Sequence, residues 1–186
     1  VLQLKFELGL FEDPYKFSNE DREKQYNDHP LHKKFAREMA AKSIVLLKND
    51  TVQFKPILPL QRHQKIALIG PLVKSQKDNL GFWSFDFDDD SVRLVSLYKG
   101  IQNKLGSSTP LLYAKGCNLN DTDTSGFAAA MAVAMQADVV VMQVGEARDM
   151  SGEAKSKSNI QLPGVQEALI KAIHSTGKPM VVLISA

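Results

Sequence analysis

The chain has 186 residues, 44% of them hydrophobic, and its 23 basic and 21 acidic side chains leave a formal charge of +2. That length suits one domain, or one domain with an appended segment, and that composition is enough for a packed core. The near balance of charge argues against nucleic acid or an anionic membrane surface as the main partner, and no apolar run approaches the roughly 20 residues that span a bilayer. A single cysteine, Cys117, excludes an internal disulfide and leaves the compartment open. The chain opens at Val1 without a basic and apolar leader pattern and closes in "KPMVVLISA", which reads as a core strand, so a piece of a longer protein is expected.

In chain order, "VLQLKFELGLF" fits a helical and an alternating pattern equally, and Gly9 ends it. Residues 15–28 are polar and irregular and read as a connecting segment. "HPLHKKFAREMAAKS" predicts a helix, with Pro30 near its start and Leu31, Phe35 and Met39 on one face. "IVLLKND" predicts a short strand and turn, and the prolines of "PILPLQRH" predict a linker. From Lys65 onward, apolar runs at 65–70, 110–116, 137–145 and 179–185 alternate with helical patterns at 91–105, 125–136 and 163–177. Strands apolar on both faces, alternating with amphipathic helices, predict an α/β fold: an open, mostly parallel sheet with helices on both faces. Ligands of such sheets bind beyond the carboxyl ends of the strands, and the loop that starts at Gly145 leaves such an end.

Several chemistries lack their residues. "GPLVKSQKDNLG" after the first strand carries neither phosphate-binding glycine pattern, so a backbone cradle for a pyrophosphate is not available. The four histidines, His29, His32, His63 and His174, are scattered, and no G-x-S-x-G elbow is present. "DFDDD" at 86–90 lacks the glycine and glutamate spacing of a calcium loop and reads as the cap of a helix beginning near Ser91. Two glutamates remain, Glu146 and Glu153, each directly after a glycine in "GEARDMSGEAKSKS". They are either solvated loop charges or a site of acid–base chemistry, and Ser151 and Gly152 would let the backbone at Glu153 approach a ligand. Trp83, in "NLGFWSFDF", either packs under the sheet or offers its face to a sugar.

The succession "LGLFEDPY", "AREMAAKSIVLLKND", "LPL", "KIALIGP", "LGFWS", "YAKGC", "DVVVMQVGEARDMSGEA" and "LPGVQEALIKAI" resembles glycoside hydrolase family 3, and within it the bacterial periplasmic β-glucosidases. The likeness covers essentially the whole chain in the family's order. It implies that residues 1–28 are the tail of a (β/α) barrel domain with its connector, 29–63 a helix, short strand and linker, and 64–186 an α/β sandwich domain cut before its usual end. It also implies a periplasmic or secreted location, and a retaining, exo-acting β-glucosidase that releases terminal non-reducing glucose from oligosaccharides or glucosides without a cofactor.

Retaining glycosidases pair two carboxyl groups, a nucleophile and an acid that later acts as base. By the resemblance the nucleophile is an aspartate of the upstream barrel and is absent from this chain. The acid/base sits on a sandwich-domain loop, which places it at Glu153 in "SGEA", with Glu146 as the runner-up and otherwise a structural or substrate-facing residue. Lys155 and Lys157 flank Glu153 and favour its carboxylate form, whereas a general acid must carry a proton. The barrel's charged nucleophile and burial on domain closure would supply the opposing effect. Trp83 and Phe87 are implied near the leaving-group subsite. A rival of another class is a non-catalytic carbohydrate-binding or assembly module, whose loop serves recognition alone. A stand-alone flavodoxin-like signalling domain lacks its acidic cluster here.

Overall fold

The computed structural model describes residues 1–27, 29–52, 55–84, 94–106 and 109–186. They form two compact units, Val1–Lys48 and Asn49–Ala186. In the first, α1 (Leu2–Glu7) resolves the ambiguous opening pattern as a helix. The polar stretch expected to be a plain connector instead contains α2 (Glu20–Asn27). Local chemistry explains this helix without an apolar face. Asn19 Oδ1 accepts from the Arg22 amide at 2.7 Å, Glu20, Asp21 and Glu23 line the first turn, and Glu20 pairs with Lys24 one turn on. α3 (Pro30–Ser43) follows, with Pro30 in its first turn and His29 as N-cap, its Nδ1 accepting from the Leu31 amide at 3.2 Å. The strand expected in "IVLLKND" is absent: Ile44–Leu47 are exposed and, among the described residues, carry no ladder partner. A branched run makes a strand only when another edge satisfies its backbone.

The second unit begins with a two-stranded antiparallel ribbon, β1 (Thr51–Val52) and β2 (Lys55–Pro56), in the stretch read as linker. Asn49 closes it, its side chain donating to and accepting from the Leu58 backbone at 3.1 Å each. The main sheet has four parallel strands in the order β4 (Leu112–Ala114), β3 (Ile66–Ile69), β5 (Val139–Gly145), β6 (Met180–Ser185). All four coincide with the predicted apolar runs. Every residue of β5 is buried, as a central parallel strand requires.

On one face Ile66, Leu68, Val139 and Val141 pack with Leu97, Tyr98 and Ile101 of α4 (Leu97–Leu105). On the other, Ala67, Ile69, Val140 and Met142 pack with Ala130 and Ala134 of α5 (Phe127–Met135) and with Leu169 and Ile173 of α6 (Gln166–His174). Helices therefore cover both faces, and each fully buried Leu or Ile contributes about 1.5–3 kcal/mol. α4 begins later than expected, because Ser96 caps it by accepting from the Lys99 amide at 3.3 Å, while Leu94 and Val95 stay outside the helix. The acidic run at 86–90 read as its cap lies outside the described residues.

The chain leaves β3 toward one edge of the sheet and leaves β5 toward the other. Such a reversal opens a crevice where the two departing loops diverge. The segment after β3 and the loop after β5 meet there.

Candidate active site

β5 ends on Gly145, whose φ of 148° suits glycine, and a Cβ there would lie 1.8 Å from the Ser185 carbonyl oxygen. The strand end is fixed a second time by Gln166, the first residue of α6, whose side chain is fully buried. Its Oε1 accepts from the Gly145 amide at 2.9 Å, and its Nε2 donates to the carbonyls of Gly145 and Leu119 at 2.8 Å each. This amide acts as a short extra strand edge, so the loop beyond has a rigid point of departure.

Glu146 comes next, its amide donating to the Ser185 carbonyl at 2.9 Å. Its carboxylate is 18% exposed and accepts from Lys157 Nζ at 2.5 Å, while the same ammonium donates to the Gln161 carbonyl at 3.0 Å. Glu146 and Lys157 thus tie the two ends of the loop together, and Lys157, expected to act on Glu153, is engaged elsewhere. Glu153 stands at the far side of the loop, exposed and, among the described residues, without a hydrogen bond or ion pair. Among the described residues it is held through its backbone. Gly152 before it has φ of 123°, and Ala154 after it has φ of 56°, a left-handed conformation that costs an alanine about 1–2 kcal/mol. Strain of this kind persists where surrounding contacts over-determine the backbone.

Those contacts come from the segment after β3. A short 3₁₀ turn, Asp78–Leu80, leads into Gly81–Ser84. Gly152 lies against the Phe82 ring so closely that a Cβ would meet Cδ1 at 2.2 Å. Arg148 Nε donates to the Gly81 carbonyl at 3.0 Å and its terminal nitrogen to the Ser84 carbonyl at 2.6 Å. The Arg148 amide donates to Asp78 Oδ1 at 3.4 Å, and Gln143 Nε2 donates to Asn79 Oδ1 at 2.9 Å and to Ser185 Oγ at 3.1 Å. Trp83, between the two carbonyls held by Arg148, is 75% exposed and meets Phe82 edge to face at 5.1 Å, so it does not pack under the sheet. Phe87 lies outside the described residues.

Sequence reasoning passed over Gln166 and Arg148. Gln166 had a signal, since it precedes Leu169 and Ile173 on the buried face of α6 and a polar residue there must find internal partners. Arg148 had none, because two acceptors of its guanidinium are backbone carbonyls of a segment more than sixty residues earlier.

Cys117 is no candidate nucleophile. Burial, then the charge of Asp121, push its thiol up to about 11 against the opposing effect of Lys115. Iodoacetamide is expected to label it only slowly at pH 8 in the folded protein and rapidly in denaturant. The neutral thiol favours the folded state fully below the unfolded thiol's value of about 9, and that contribution is lost as the pH rises through about 11. Rapid labelling of the folded protein at pH 8 would contradict this placement.

Known proteins resemble this chain in sequence and fold. Residues 44–186 match the glycosyl hydrolase family 3 C-terminal domain. A periplasmic beta-glucosidase of Salmonella typhimurium is 38% identical over 207 residues, covering 99% of this chain and 26% of the relative. A beta-xylosidase of Formosa agariphila is 34% identical over 189 residues, covering 99% and 25%. Among solved structures, the beta-glucosidase of Listeria innocua in complex with isofagomine superposes with a TM-score of 0.80 at 33% identity, covering 98% of this chain and 24% of that one. The chain spans about a quarter of the length of these curated relatives. The match over most of the chain, together with near-complete coverage by these relatives, establishes that the chain belongs to glycosyl hydrolase family 3, residues 44–186 matching that family's C-terminal domain.

Proposed function

We propose that this chain is part of a retaining, exo-acting β-glucosidase, to which it contributes the acid/base loop. One observation carries the reading. Glu153 is an exposed carboxylate, unengaged among the described residues and presented by a strained turn of the loop that leaves β5 at the crevice of the sheet. In the first step Glu153 gives its proton to the glycosidic oxygen, so that the leaving group departs as an alcohol. A carboxylate of the preceding barrel domain attacks the anomeric carbon. In the second step Glu153 takes a proton from water, which hydrolyses the glycosyl-enzyme with net retention. Glu146, locked to Lys157, serves as a positioning residue at the foot of the loop, and the exposed face of Trp83 is a platform for the departing group.

In this reading residues 1–28 close the barrel domain, 29–63 connect, and 64–186 form the sandwich domain. The second compact unit begins at Asn49, so the ribbon of the connector travels with the sandwich. A periplasmic or secreted location is supported by the name of the Salmonella relative, and no helix among the described residues is long and apolar enough to cross a membrane. Glucose is the preferred sugar. Release of xylose is a second reading, favoured by the beta-xylosidase relative.

The test compares the 186-residue chain with the full-length protein on nitrophenyl β-glucoside, nitrophenyl β-xyloside and a β-linked glucose disaccharide. The short chain is expected to turn over none of them above background, since the nucleophile lies elsewhere. The full-length protein should release the β-anomer of glucose first, read by proton NMR. Turnover by the purified short chain, or first release of the α-anomer, would overturn the assignment.

A further inference from the structure

We propose that Arg148 is a positioning residue for leaving-group recognition, fixing the Trp83 turn to the Glu153 loop so that the two present one preassembled surface. The inference rests on the reading of Trp83 as a platform and Glu153 as the acid/base. Its basis is geometric. Trp83 is three-quarters exposed and makes an edge contact with Phe82, so its own packing does little to hold it. Its turn is instead held from the other loop at both ends. The guanidinium spans it, with one nitrogen on the Gly81 carbonyl and another on the Ser84 carbonyl, at 3.0 and 2.6 Å. A rigid planar fork can hold two acceptors at once, which a lysine ammonium on a flexible stem does poorly. Gly152, adjacent to Glu153, seats directly on the Phe82 ring. The Gln143–Asn79 bond secures the base of the same segment. The residue before the proton donor and the residue before the platform are therefore in van der Waals contact, and Arg148 closes the ring of contacts around them.

This arrangement separates recognition of the leaving group from recognition of the released sugar. A leaving group with a ring, such as the second sugar of a disaccharide, would meet Trp83. A methyl group would not reach it. Loosening the turn should therefore weaken the disaccharide more than a methyl glycoside.

The experiment uses the full-length enzyme with Trp83→Ala, Arg148→Ala, Arg148→Lys and the Trp83→Ala/Arg148→Ala double variant, assayed on a β-linked glucose disaccharide and on methyl β-glucoside. Each single alanine variant is expected to raise KM for the disaccharide about tenfold more than it raises KM for methyl β-glucoside. The double variant should be no worse than either single one, because both remove the same held ring. Arg148→Lys keeps the charge without the fork and should behave like Arg148→Ala; it also serves if the alanine variant does not fold. Equal losses on both substrates, unchanged disaccharide KM in the Arg148 variants, or additive losses in the double variant would overturn the proposal. If Trp83→Ala is itself silent, the platform reading fails and this proposal with it. If Trp83→Ala is selective while both Arg148 variants are not, the platform stands and only the role of Arg148 falls.

Discussion

In the full-length enzyme, Glu153→Ala is expected to lose about 10²–10⁴-fold on a β-disaccharide or alkyl β-glucoside, the usual worth of a general acid. On a dinitrophenyl β-glucoside the same variant should retain its first step, because that leaving group departs without a proton. Deglycosylation, deprived of its base, then becomes limiting, and a burst of phenolate followed by slow turnover should appear. Glu146→Ala should behave differently. Its carboxylate is committed to Lys157 at 2.5 Å, and its loss frees the foot of the loop rather than removing a proton donor. The expected result is a comparable loss on good and poor leaving groups, with no burst. Stopped-flow absorbance on both variants separates the two roles. A burst from Glu146→Ala, with none from Glu153→Ala, would exchange the assignments.

The second large effect is structural. Gly145→Ala should destabilise the full-length protein by about 4 kcal/mol or more, the range in which a single change signals one identifiable breakage. A Cβ at this position would sit 1.8 Å from the Ser185 carbonyl oxygen and 2.7 Å from its carbon. Both are backbone atoms, so no side-chain rotation gives relief. The β5–β6 ladder must open at its last rung, and the Gln166 bonds to Gly145 are lost with it. Gly106→Ala is the control, because Gly106 also has positive φ, 99°, but among the described residues nothing lies within 4 Å of where its Cβ would stand. That change should cost only about 1 kcal/mol. Thermal melts should show the C-terminal domain's transition lowered by about 8–16 °C for Gly145→Ala and by about 2–4 °C for Gly106→Ala. Equal shifts would mean that backbone conformation, and not the close approach to Ser185, makes Gly145 necessary.

The central strands β3 and β5 were legible because burial on both faces of a parallel sheet writes itself as nearly uninterrupted apolar residues. The earlier region was harder. "IVLLKND" has a strand's composition, but composition does not supply a neighbour, and Ile44–Leu47 stand exposed with none among the described residues. α2 was hidden for the opposite reason: it has no apolar stripe and is held by a cap, acidic residues in its first turn and the Glu20–Lys24 pair, which periodicity does not register. In the candidate site, the glycines and carboxylates of 145–158 stood out as residue types. The pairing of Lys157 with Glu146 did not, since Lys157 lies nearer Glu153 in the sequence and reaches back across the loop only in the fold. The Arg148 clasp depends on backbone carbonyls, which every residue possesses and no sequence pattern marks.

The most direct test of Glu153 as acid/base is the product formed by full-length Glu153→Ala from dinitrophenyl β-glucoside in the presence of azide. Azide attacks the trapped glycosyl-enzyme without needing a base. Turnover should therefore be restored, and NMR of the product should show β-glucosyl azide, while Glu146→Ala gives no such product. Rescue of Glu146→Ala, an α-configured azide, or no rescue of either variant would contradict the account.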